Sequence, residues 1–223
     1  MKANLANANF ELNLARCLAH SMLWETKREF SPGGVVDDAR CAATFAWDED
    51  TGTQTGSPLK GTTRTGGVAD VNWKNSGVQG DAYSSFPITA GNNSFDKWQF
   101  GHFSGTYNQI LNGLFAHTAT AFGTGLTLKG PTTMAADGDN ETYRTPAATA
   151  NANLSTDMTS AIAIGSGVAV WFGATGPEAT GKAATMATNP CYTNWLATQL
   201  QTTVSAVPGD TATVTLTLQY DEN

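Results

Sequence analysis

The chain has 223 residues, with 19 acidic against 12 basic side chains, a net charge of -7 and a pI near 4.8. That balance excludes the basic face that nucleic-acid binding requires, and no window reaches the roughly 18 uninterrupted apolar residues of a membrane span. Charged residues make up 14%, against roughly 25% in ordinary soluble domains, and Thr, Ala, Asn and Gly take their place.

The opening MKANLANANFELNLARCLAHSMLW has no long apolar run followed by a small-residue cleavage site and is not read as a signal peptide. Phe10, Leu14, Cys17, Leu18 and Met22 follow one helix face, while Phe10, Leu12 and Leu14 alternate as in a strand. The stripe outlasts the alternation, so a helix is expected over about 10–24, with Asn7 or Asn9 as its cap. Residues 1–30 are thus read as an N-terminal helical or arm segment, and 31–223 as a β-rich body. SPGG at 31–34 breaks the chain, and a short strand is expected at Cys41–Trp47.

Residues 48–67, DEDTGTQTGSPLKGTTRTGG, carry few apolar side chains and many Gly and Thr. They are read as a long exposed loop, a contact element ordered chiefly by partners, with the acidic run 48–50 as a solvated turn. An aromatic block follows, in which Trp98, Phe100 and His102 share one side of an alternating strand. Tyr107, Ile110, Leu111, Leu114 and Phe115 then fall at helical spacing, which predicts a short helix over 106–116, capped by Ser104 or Thr106.

Strands are expected beyond it. Leu126 and Leu128 alternate with Thr127, and Ile162 and Ile164 face Val168 and Val170 across a Gly165–Gly167 hinge. The last segment, LQTTVSAVPGDTATVTLTLQY, reads as a hairpin around Pro208-Gly209-Asp210. Its second arm sets Ala212, Val214, Leu216, Leu218 and Tyr220 on a buried face and Thr213, Thr215, Thr217 and Gln219 on the other. A terminal strand with threonine on its outer face is either covered internally or pairs with another chain.

Chemistry is sparse in this pattern. Cys17, Cys41 and Cys191 form no C-x-x-C, so neither a zinc site nor a disulfide framework is indicated. Small buried thiols are expected, and a Cys17–Cys41 bridge stays open. His20, His102 and His117 have no ligand partner at metal spacing and are read as packed or surface imidazoles. The hydrolase, Walker and zinc-protease signatures are absent. DGDNE at 137–141 departs from a calcium loop at its sixth and twelfth positions, Thr142 and Ala148. No catalytic, cofactor or metal residue is assigned, and a non-enzymatic protein is expected. The six tryptophans, Trp24, Trp47, Trp73 and Trp195 among them, are read as core or contact anchors. A sugar-stacking platform is the alternative.

The strands GLTLKG and TATVTLTLQY, the long Gly-Thr loops, the short segment before the body and the low charge together resemble the virion structural proteins of tailed bacteriophages: capsid decoration proteins, head fibres, and tail or baseplate components. The resemblance is one of style, spread over most of the chain, and transfers no functional residue. It implies a mainly β fold, a β-sandwich or jelly-roll-like body with one or two short helices, and assembly as a homo-oligomer against other virion proteins. The expected location is the virion, assembled in the host cytoplasm. The competing expectation is a carbohydrate- or receptor-binding β-domain using exposed aromatics.

Overall fold

A computed structural model describes residues 42–69, 71–118, 122–130, 142–163, 165–207 and 214–222. The expected helix at 10–24, Cys17, Cys41, His20, Trp24 and the 137–141 acidic run lie outside these residues. The described chain is all β, as its alternating segments foretell, and its strands are antiparallel wherever they pair.

The first sheet is built on β1 (Ala42–Thr55), β2 (Lys60–Thr65) and β3 (Lys97–Thr106), joined by β5 (Leu126–Gly130), β6 (Thr156–Asp157), β8 (Phe172–Gly173), β10 (Cys191–Thr193) and β11 (Leu196–Thr202). Its order is β2-β1-β3-β11-β5-β6, with β10 pairing β3 and β8. The second sheet runs β12-β4-β7, from β12 (Leu216–Glu222), β4 (Ile110–His117) and β7 (Val168–Ala169), with β9 (Thr185–Met186) also on β4. The inner faces meet in one core of Phe103, Leu196, Leu200 and Leu128 from the first sheet and Ile110, Phe115, Leu216, Leu218 and Tyr220 from the second. Phe103 and Tyr220 cross edge to face at 4.6 Å. This is a sandwich, held by apolar area removed from water between the layers.

Several sequence expectations need correction. Residues 48–67 are not a long loop but most of the β1–β2 hairpin, with Asp50 opposite Arg64. Most of it is exposed, β2 almost throughout, but Asp48, Glu49, Asp50 and Thr51 are buried rather than solvated. Polar strands read as loops when their partners lie elsewhere in the chain.

The helix expected at 106–116 is the strand β4. Asn112 has a φ of 52°, and the pairing with β12 slips between Gln219 and Asp221. This bulge adds one residue to β4. It returns Ile110 and Phe115, five positions apart, to the same inner face, and leaves Leu111 and Leu114 on the outer one. An interrupted period of two thereby imitates a period of 3.6.

The terminal segment is not a hairpin. β11 joins the first sheet between β3 and β5, whereas β12 pairs β4 in the second. The face assignment stands: Val214, Leu216, Leu218 and Tyr220 are buried, and Thr215, Thr217 and Gln219 are half-buried. Alternation fixes which side of a strand is apolar but not which strand lies beside it.

Candidate functional site

The described residues offer three features to weigh: the outer face of the first sheet, a buried lysine cage, and the outer face of the second sheet. Register puts Asp48 opposite Phe100, Asp50 opposite Trp98 and also opposite Arg64, and His102 opposite Tyr192. All therefore share the face turned away from the main core.

Arg64 is the hub of that face. Its Nε and Nη2 donate to the two carboxylate oxygens of Asp50 at 2.8 and 3.0 Å, and Nη2 also donates to Glu178 at 3.0 Å. The guanidinium lies 4.7 Å from the centre of the Phe100 ring, a cation–π contact. Burial opposes its charge, yet the hydrogen bond and charge of Asp50, then Glu178, outweigh it and raise its pKa further. Asp50 also accepts the indole N–H of Trp195 at 3.1 Å.

Beside it, His102 stacks on Tyr192 at 4.7 Å and places Nδ1 3.1 Å from Asp48. Trp98, Tyr143 and Trp195 form a second apolar cluster with Phe100, Leu154 and Ala197. Asp96 takes the amide of Ala147, the indole N–H of Trp98 and the amide group of Asn151. Burial raises its pKa against these hydrogen bonds.

On the inner face, Glu49 accepts from Lys97 at 3.3 Å and from Gln99 at 2.9 Å. Nearby, buried Lys74 donates to the carbonyls of Gln79 and Asp81. Burial, reinforced by the charge of Lys97, pushes its pKa down to about 8. Glu49 thus holds both Lys97 and Gln99, Lys74 is held by backbone carbonyls, and Oε1 of Gln99 is left buried without a hydrogen-bond partner.

His117 is buried with Nδ1 2.8 Å from the carbonyl of Thr118, and Cys191 is a buried free thiol. No group of three or more His, Cys, Asp or Glu gathers as a metal site among the described residues. Trp47, Trp73, Trp98 and Trp195 are buried and cannot stack on a sugar; Trp171 is half-buried.

The outer face of the second sheet is different in kind. Leu114 and Ala116 of β4 stand opposite Gln219 and Thr217 of β12. A groove of about 310 Å³ is lined by Asn112, Gly113, Leu114, Ala169, Val170, Trp171 and Ala184. Sequence reasoning singled out the threonine row of β12 but missed this groove, since Leu111 and Leu114 were assigned to a helix. Comparison with family models, curated proteins and solved structures finds no match for this chain.

Proposed function

We propose that this chain is a non-enzymatic structural subunit of a virion, of the tailed-bacteriophage kind that its composition resembles, assembling as repeated copies on a capsid or tail. The observation that supports this most is an apolar loop end. Val204 is 89% exposed and Val207 66%, on the loop after β11; Val78 at 58% and Phe86 at 38% lie on the connector between β2 and β3. The Gly91 amide of that connector donates to the Thr203 carbonyl at 3.0 Å, which sets Val204, though not Val78 or Phe86, beside the connector. Side chains this exposed and this apolar mark contact surfaces when they gather on one part of a molecule.

The use of charge supports the same reading. Asp50, Glu178 and Arg64 hold one another, Glu49 takes Lys97 and Gln99, and Asp96 takes three donors. These groups tie strands and connectors together, as a load-carrying shell component needs. Sedimentation of the purified chain tests the contact. The parent is expected at a multiple of 23.4 kDa, and the doubly substituted Val204→Lys, Val207→Lys chain at the single-chain mass. A parent that sediments as a monomer at every concentration contradicts the contact.

A further inference from the structure

We infer that the groove on the outer face of the second sheet is a binding site for a sugar ring, with Trp171 as the stacking surface and Asn112 beside Asp221 as the hydrogen-bonding end. The site goes beyond the proposed assembly role and does not depend on it. Trp171 stands apart among the described tryptophans: it is half-buried, whereas Trp47, Trp73, Trp98 and Trp195 are buried. It lines the groove together with Leu114, Ala169 and Ala184.

The backbone fixes Trp171 before any ligand arrives. Its amide donates to Asn194 Oδ1 at 3.0 Å, and its carbonyl accepts from the Asn194 amide at 2.9 Å. The flanking residues are tied as well, Val170 to Gly113 and Phe172 to Ala183. A surface fixed in this way lowers the ordering cost of binding. Ala169 and Ala184 beside it are exposed and carry only methyl groups, so a flat ring can approach. The groove holds about 310 Å³, at the lower end of the roughly 300–1,000 Å³ of small-molecule sites, which suits one ring.

One end of the groove is polar. The bulge in β4 puts Asn112 at a φ of 52°, a conformation that Asn adopts more readily than most residues, and bulges serve to re-aim a side chain. Asn112 is exposed, and its Nδ2 donates to Asp221 Oδ2 at 2.8 Å. Oδ1 of each residue has no partner among the described residues, so two acceptors stand together, one of them in the groove lining. A pyranose has the matching make-up, with C–H groups across one face for the indole and hydroxyl donors around its rim. A quaternary ammonium is held by a cage of aromatic rings, and this lining contains a single one.

The test is saturation-transfer NMR of the full chain with millimolar methyl glycosides of glucose, galactose, mannose and N-acetylglucosamine, and with tetramethylammonium alongside. At least one glycoside is expected to bind. Trp171→Leu and Asn112→Gly are each expected to weaken it by about tenfold or more, while Trp171→Phe keeps part of the affinity. Glycine suits the backbone at position 112 and leucine keeps an apolar side chain at 171, so both variants are expected to match the parent in circular dichroism. No binding of any of the four glycosides, equal binding in the parent and the Asn112→Gly and Trp171→Leu chains, or preferential binding of tetramethylammonium would overturn the inference.

Discussion

Arg64 joins β2 to β1 and to the connector carrying Glu178, and its loss would be felt through Asp50 more than through its own contacts. The Asp50 side chain is 1% exposed and the Arg64 side chain 30%. Arg64→Met therefore leaves a buried carboxylate without its cation. Removing one partner of a buried pair costs about 3–5 kcal/mol, and the solvent at Arg64 places this case near about 3. Arg64→Lys is expected to recover little, because a single ammonium reproduces neither the two-pronged contact nor the stacking on Phe100. Denaturant unfolding of both variants reads this directly, and wild-type stability in either would remove Arg64 from the set of residues that hold the hairpin.

Lys74 gives the pH dependence a definite sign. Its folded pKa of about 8 lies below the ordinary 10.5, so between those values the unfolded chain binds more protons and stability rises with pH. The cost of the buried ammonium is present in full below about pH 8 and relieved by pH 10.5, a change of roughly 3 kcal/mol. Burial raises the phenols of Tyr107 and Tyr143, and these act the other way once unfolded tyrosines ionise near pH 10. The comparison is therefore made between pH 7.5 and about 9.5 against Lys74→Met. The parent is expected to gain stability relative to that variant, and parallel profiles would show that Lys74 carries no such penalty.

At the scale of elements, β12 separates its two faces sharply. Leu216 is 1% exposed in the core, so Leu216→Asp buries an unpaired charge at a cost of several kcal/mol and is expected to abolish cooperative unfolding. Thr217→Asp, on the half-buried outer face, is expected to keep the fold and its β-type circular dichroism. If Thr217→Asp unfolds the chain as Leu216→Asp does, the outer face is part of the sandwich interior. A further check is Gly61→Ala: a Cβ there would sit 2.5 Å from the Thr51 carbonyl and 2.9 Å from the Tyr143 hydroxyl. The hairpin must shift to admit it, with a loss of roughly 1–3 kcal/mol measured by thermal unfolding.

The same strands mark how far the sequence could be followed. The faces of β12, the Trp98-Phe100-His102 side of β3 and the Leu126–Leu128 strand were legible because alternation is a local property. β4 was not, since the bulge at Asn112 breaks its alternation at mid-strand. The β1–β2 hairpin was not either: its polar residues are stabilised by Glu178, Trp195 and Lys97, partners 48 to 145 positions away that no local window contains. The groove beside Leu114 was hidden for the first of these reasons, and the saturated charges for the second.

As a whole, the molecule is a low-charge β-sandwich in which Asp50, Glu49 and Asp96 are held by internal donors, and the proposed function assigns contact with further copies to the exposed valines on the loop after β11. The central claim is that such copies build a particle. The measurement that tests it most directly is quantitative mass spectrometry of gradient-purified particles from the culture that produces this chain, with the soluble lysate measured alongside. The account predicts the protein in the particle fraction at a fixed, multiple-copy ratio to the other particle proteins. A protein confined to the soluble lysate would contradict it.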